Sequence, residues 1–357
     1  MKDEKRICII CETPYQVFSA IYLRNILPAD DIVDIYIGEV FYNSASIANN
    51  ITKSKLFNRT IVYNVKKANF TNRINEFFSP KKYLDFLIGK KDLNLTYNTI
   101  FMSYTTHFAM AMVAYNRSAD VVYYDDGLGS YIDHIGIQSI SSKRKICYML
   151  GGTNVKRFDF VNAYLFDPRY LMNGNNINVE KIDIPDNNSI NTIIDSVFNY
   201  SDDNYCENRI VYFALPSHEY GGKISEAEAI KILEKYNEEC IVRLHPREVN
   251  PQAFRFDTID KGQNQWELIA KNEVSDEHIL IGVFSTAQVI PKLIYDKEPY
   301  LIFEYKMYKG IFSDKHIQKM EMFIRILKKN YRNPSKIIEL ENYSDLEKII
   351  SNCLKGQ

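Results

Sequence analysis

Three features of the sequence predict an α/β protein of two doubly wound domains. Strand-like runs rich in β-branched and aromatic residues alternate with amphipathic helical runs along almost the whole chain, the pattern of parallel sheets covered by helices. The 357 residues suit two domains, each of roughly 100 to 200 residues. Between two such series, from about 173 to 208, the composition turns rich in Asn and Asp and reads as a connection with some local structure. The expected organisation is a first domain over 1–175, a connection over 176–208, a second domain over 209–330 and a helical tail over 331–357, with the two domains facing each other across a cleft.

The elements follow in order. "RICIICE" reads as the first strand, "TPYQVFSAIYLRNI" as its helix and "DIVDIYIG" as the next strand. At the first junction Thr13 can cap the helix, Pro14 suits its first position and Gln16 falls where a capping box wants Glu or Gln. "YNTIFMS", "HFAMAMVAYNR" and "DVVYYDD" form a strand, helix and strand, so Asp125 belongs to a βαβ unit. After the connection, "RIVYFALP", "KISEAEAIKILEKYNEE", "CIVRLHPRE", "QNQWELIAKN", "HILIGVFSTA", "QVIPKLIYD" and "PYLIFEY" repeat the alternation, and "SDLEKIISNCL" reads as a last helix. The basic run "FIRILKKNYRNPSK" before it reads first as a solvated helix face and second as a peripheral contact with an anionic membrane surface.

Composition narrows the function. A net charge of -1 gives no global pull toward nucleic acid. Of six cysteines only Cys8 and Cys11 stand at C-x-x-C spacing, inside a strand that would point them to opposite faces, so no zinc site is expected. Buried thiols in a reducing cytosol are the better reading. The N-terminus shows no secretory signal, and residues 97–116 are too polar for a transmembrane helix. A cytoplasmic location is expected.

Chemistry-bearing residues collect where strands end, the side of an open α/β sheet on which ligands bind. In "ADVVYYDDGLGSY" the apolar strand stops at Asp125, Asp126 and Gly127, either a turn whose aspartates bond to local backbone or a site. "CIVRLHPRE" ends in His245 and Pro246, and histidine can donate to phosphate or transfer a proton. In "VFSTAQ", Ser285 and Thr286 can cap a helix and, with its N–H groups, hold a phosphate. Glu267 follows the single tryptophan at a helix start, where a carboxylate either complements the macrodipole or accepts ribose hydroxyls. No Asp-x-Asp triplet occurs, which disfavours a metal-bound nucleotide diphosphate.

Taken in order, the "TPYQ" segment, D-D-G, the Arg-x-His-Pro of Arg243 to Pro246, the Trp-Glu-Leu segment and the Ser-Thr helix start resemble the bacterial sialyltransferases, particularly glycosyltransferase family 52, over residues 7–305. The resemblance implies a GT-B architecture of two Rossmann-like domains, acceptor-binding first and CMP-sialic acid-binding second. It implies Asp125 as the general base, with Asp126 orienting the turn and Thr13, Gln16 and Gly127 on the acceptor side or structural. On the donor side it implies His245, Ser285 and Thr286 on the leaving phosphate, Glu267 on the ribose, and Arg243 and Pro246 lining the nucleotide pocket. The loop "LPSHEYGGK" offers His218 and Glu219, and Glu219 is the alternative base. The expected reaction is inverting, metal-independent transfer of sialic acid to a terminal sugar such as galactose of a capsule or lipooligosaccharide. No cofactor is expected beyond the donor. Rival readings are transfer from CMP-Kdo or CDP-glycerol, polysialic acid extension, and a glycan-assembly protein that retains the fold. Relatives suggest a homodimer.

Overall fold

The computed structural model describes residues 4–65, 70–90, 93–132, 140–172, 177–185, 188–201, 205–215, 226–245, 256, 258–260, 264–308 and 310–356. The chain forms two compact units, Met1–Asn199 and Tyr200–Gln357. Each is built on a parallel sheet.

In unit 1 the strands are β1 (Arg6–Cys11), β2 (Ile32–Gly38), β3 (Arg59–Tyr63), β4 (Thr99–Met102), β5 (Asp120–Tyr124), β6 (Asn162–Leu165) and β7 (Asn178–Lys181). They lie in the order β3-β2-β1-β4-β5-β6-β7, so the direction of winding reverses between β1 and β4. The helices are α1 (Pro14–Ile26), α2 (Ser44–Ser54), α3 (Phe70–Phe78), α4 (Pro80–Ile88), α5 (His107–Tyr115), α6 (Gly129–Ile132), α7 (Ser142–Leu150) and α8 (Asn188–Phe198). Helix α5 is buried from Phe108 to Ala114, as its all-apolar sequence demands, and becomes polar only at its first residue, His107.

Unit 2 contains β8 (Ile210–Phe213), β9 (Cys240–Arg243), β10 (Ile259–Asp260), β11 (Ile279–Gly282), β12 (Tyr300–Phe303) and β13 (Ile337–Glu339). Their order is β10-β9-β8-β11-β12-β13, with the reversal between β8 and β11. Its helices are α9 (Ala227–Leu233), α10 (Trp266–Asn272), α11 (Thr286–Tyr295), α12 (Asp314–Asn330) and α13 (Leu346–Lys355). Ile210, Tyr212, Val242, Ile281 and Ile302 of the sheet pack with Leu233 of α9 and Leu346 and Ile350 of α13 in one core.

The division falls differently from the sequence expectation at two places. Residues 176–208 are no bare connection: β7 pairs with β6, and α8 packs Ile190, Ile194 and Val197 into unit 1. The tail beyond 331 is part of unit 2, because β13 pairs with β12 and closes that edge of the sheet. In the basic run before it, Lys328 pairs with Glu339 at 2.7 Å, and the exposed Arg332 with Asp276 at 3.0 Å. Among the described residues no helix is long and apolar enough to cross a membrane.

One irregularity joins two of the elements of unit 2. Pro291 lies inside α11, and its nitrogen carries no hydrogen for the carbonyl of Ala287 one turn earlier. The indole Nε1–H of Trp266, at the start of α10, donates to that carbonyl instead, at 2.8 Å.

Candidate active site

The carboxyl edge of unit 1 gathers residues from sequence segments far apart. Thr13 caps α1, its hydroxyl accepting from the Gln16 N–H at 3.1 Å, and Pro14 takes the first position. The Gln16 side chain, however, reaches past the cap to accept from the Glu12 N–H at 2.6 Å. Its other end donates to Asp126 Oδ1 at 2.8 Å, and Tyr15 Oη donates to Asp125 Oδ1 at 2.9 Å. The "TPYQ" and D-D-G segments, 110 residues apart, therefore hold each other.

The two aspartates occupy different environments. Asp125 is fully buried and accepts from Tyr15, from the Gly127 N–H at 2.8 Å, from the Phe166 N–H at 3.1 Å and from Tyr131 Oη. Burial raises its pKa, and these four donors oppose the rise. Asp126 is half-buried, with Gln16 and Tyr104 donating to it. Its pKa is pushed up to about 7, chiefly by burial and further by the charges of Asp125 and Glu12. Gly127, with φ at 87°, sits in the left-handed region that a side chain would disfavour, which turns the chain so that its own N–H meets Asp125.

Two further groups on this edge were not singled out in the sequence. Glu12 follows β1 and accepts from Tyr63 Oη at 2.7 Å and from the Thr106 hydroxyl. Burial raises its pKa, and those two donors and the nearby His107 oppose the rise. His107 opens α5 after β4, its side chain 45% exposed, with Nδ1 2.5 Å from Oε2 of the fully buried Glu76 of α3. Glu76 also accepts from Arg144 at 2.8 Å and from Tyr148 Oη. Burial raises the Glu76 pKa, but His107, Arg144 and Tyr148 together hold it below the usual carboxylate range. Glu12 and His107 thus flank the reversal between β1 and β4, where open α/β sheets bind ligands.

In unit 2, Ser285 and Thr286 follow β11 at the corresponding reversal. Ser285 caps α11, accepting from the Ala287 N–H at 3.2 Å while its own N–H meets the Gln288 side chain at 3.1 Å. Both the capping role and the helix N-terminus expected from the sequence are present. Arg243 is buried at the end of β9, where it pairs with Asp260 and donates to Asn264 O at 2.7 Å and Tyr205 Oη at 3.3 Å. Its guanidinium lies 5.3 Å from the centre of the Trp266 ring. Burial pulls its pKa down, and Tyr205 and Asp260 more than compensate. Glu267, in the first turn of α10, is buried and takes the Gln265 side-chain amide, with its pKa raised by burial. His245 follows β9, half-buried. Pro246, His218 and Glu219 lie outside the described residues.

No family model matches the chain, and no curated protein matches it in sequence. Solved structures match its fold. UGT89C1 of Arabidopsis thaliana complexed with UDP-L-rhamnose superposes with a TM-score of 0.55 at 10% identity, covering 100% of this chain and 91% of that one. The spinosyn forosaminyltransferase SpnP gives 0.52 at 10%, covering 99% and 91%, and the kitacinnamycin glycosyltransferase 0.51 at 7%, covering 99% and 91%. With two parallel-sheet α/β domains along its length, the chain has the GT-B fold of these glycosyltransferases.

Proposed function

We propose that the protein is an inverting glycosyltransferase that moves sialic acid from CMP-sialic acid to a hydroxyl of a terminal sugar, such as galactose, in a bacterial surface glycan. The observation that supports a transferase is the carboxyl edge of unit 1, where Asp126 stands half-buried at the tip of β5, held by Gln16 at 2.8 Å and beside the fully buried Asp125, with burial raising its pKa toward the range that suits proton transfer near neutral pH. Asp126 takes the proton of the acceptor hydroxyl as its oxygen bonds to the anomeric carbon. The bond from that carbon to the CMP phosphate oxygen breaks, and CMP leaves with the electron pair. Under this reading the two aspartates exchange the roles the resemblance implies. Asp125, with four donors already on it, shapes the turn, and Asp126 does the chemistry.

The donor half is assigned to unit 2. Ser285 uses its oxygen to cap α11 and keeps its hydroxyl hydrogen for a phosphate, with Thr286 and the positive end of the helix dipole beside it. His245 serves the same phosphate as charge develops. Glu267 remains the group for the ribose hydroxyls, whereas Arg243, buried and held by Asp260, Asn264 and Tyr205, forms the pocket wall. The CMP-sialic acid assignment rests on the ordered motifs, and no metal or cofactor takes part in it.

The test incubates the full chain with CMP-sialic acid and a galactose-terminated acceptor, following CMP release and product mass, with CMP-Kdo, CDP-glycerol and UDP-sugars as parallel donors. Sialylated product is expected from CMP-sialic acid alone. Product from another donor would replace the sialyl assignment, and no product from any would remove the transferase reading.

A further inference from the structure

Helices α3 and α7 meet through their inner faces and leave apolar side chains on their outer ones. Arg144 and Tyr148 of α7 both reach the buried Glu76 of α3, Arg144 at 2.8 Å, and the Tyr148 ring meets Phe77 edge-on with 4.8 Å between centres. Ile146 and Leu150 each stand two residues from this inner pair and share the opposite side of α7 with Met149. Ile74 and Phe78 flank Glu76 at the same spacing, on the outer side of α3. All five are exposed, Ile146, Met149 and Leu150 by 56, 60 and 71%. Gly151 lets the helices close at one end, since a Cβ there would overlap the Phe77 carbonyl, and Leu150 and Phe78 lie at that end together. Cations border the face. Residues 140–158 carry Lys143, Arg144, Lys145, Lys156 and Arg157 and no acidic residue, in a chain whose 44 basic residues are otherwise matched by 45 acidic ones. Arg144 and Arg157 turn inward, the latter to the carbonyls of Val113 and Ala119, whereas Lys143, Lys156 and Arg73 are exposed and Lys145 is half-buried.

Apolar side chains scattered singly on a surface are ordinary, but a cluster of them rimmed by one sign of charge marks an interaction site. These side chains stand proud of the surface, whereas a partner's helix docks in a groove. A second copy meeting this face across a two-fold axis would set its lysines against their own images. An anionic bilayer answers both features, because its acyl boundary takes the apolar side chains and its headgroups take the lysines.

We propose that the outer face of α3 and α7 docks on an anionic lipid bilayer, with Phe78, Ile146, Met149 and Leu150 entering the acyl boundary and Lys143 and Lys145 on headgroup phosphates. The basic run of α12 has no such face to offer, because its apolar stripe of Ile317, Phe323 and Leu327 is buried in unit 2. Arg144 also donates to Thr105 O at 3.2 Å, after β4, and so ties α7 to the carboxyl edge that carries Asp126. Under the transferase reading the acceptor is then a lipid-anchored glycan met at the bilayer surface. The docking itself does not rest on that reading.

The test is flotation of the full chain with vesicles of phosphatidylcholine alone and of phosphatidylcholine mixed with phosphatidylglycerol. Wild type should float with the mixed vesicles and far less with the neutral ones. Lys143→Ala and Lys145→Ala should each lower the partition coefficient about fivefold. Leu150→Ser should lower it on the order of 10-fold. Arg325→Ala and Lys329→Ala, on the exposed side of α12, should leave it unchanged. Thermal melts check that the variants fold. In Leu150→Trp the added indole should emit further to the blue on the mixed vesicles, as its ring leaves water. Absence of flotation with the mixed vesicles, equal binding to both kinds, or losses confined to the α12 variants would overturn the proposal. So would a dimer in sedimentation velocity that Leu150→Ser disperses while vesicle binding is absent, which would give the face to a second copy. Flotation uses neither donor nor acceptor, so its outcome is separate from that of the transfer assay.

Discussion

Adjacent aspartates with opposite surroundings are separable by isosteric change. Asp126→Asn keeps the Gln16 and Tyr104 contacts within reach of an amide and removes the base, so turnover should fall about 10² to 10⁴-fold with the melting temperature little moved. Asp125→Asn sets an NH₂ group against the N–H of Gly127 or of Phe166, or against a tyrosine hydroxyl, at a fully buried position. The expected result is a loss of about 1 to 3 kcal/mol of stability, read by chemical denaturation. The reverse pattern, a stable but inactive Asp125→Asn beside an active Asp126→Asn, would return the base to Asp125. The pH dependence has a definite sign as well: a base must be unprotonated to act, so kcat/KM should climb through about pH 7 in wild type, and Asp126→Asn should lose that limb.

Helix α11 carries its own repair, and two substitutions isolate it. Trp266→Phe leaves the Ala287 carbonyl without a donor and should cost about 1 to 3 kcal/mol, on top of the lost ring packing. Pro291→Ala restores the backbone N–H, so the Trp266→Phe penalty should shrink in that background, and equal penalties in both would deny the compensation. This pairing was hidden in the sequence, since a proline and a tryptophan 25 positions apart carry no mark of contact. The strand tips were legible because period and punctuation are local: the β5 and β11 junctions fall where D-D-G and Ser-Thr sit. Helix α8 was obscured by its Asn and Asp, although Ile190, Ile194 and Val197 already had helical spacing. Glu12 and His107 were overlooked for another reason. Each stands at a strand end, but the contact of His107 with Glu76 is set by tertiary packing of α3 against α5 and leaves no local mark in the sequence.

Across the whole molecule, stability against pH should be governed in part by a carboxyl that no proposed chemistry uses. Glu304, fully buried after β12, has its pKa raised to about 8 by burial and by the charge of Glu226. Tyr212 Oη stands between them, 2.9 Å from Glu226 Oε1 and 3.4 Å from Glu304 Oε2. A protonated Glu304 can donate to Tyr212, which donates to Glu226. The folded state thus holds a proton that the unfolded chain releases above its ordinary value of 4.5, so this contribution is complete below about pH 4.5 and is lost as pH rises toward 8. The slope is about 1.4 kcal/mol per pH unit within that window. Urea midpoints of wild type should fall from pH 5 to 8 more steeply than those of Glu304→Gln, and parallel curves would refute the assignment. The lone tryptophan supplies the means to see this in one unit at a time. Trp266 is 5% exposed, and no second indole exists anywhere in the chain. Its emission, shifting red as water reaches it, follows the melting of Tyr200–Gln357 alone, whereas far-ultraviolet dichroism sums both sheets; the gap between the two curves measures how independently the halves come apart.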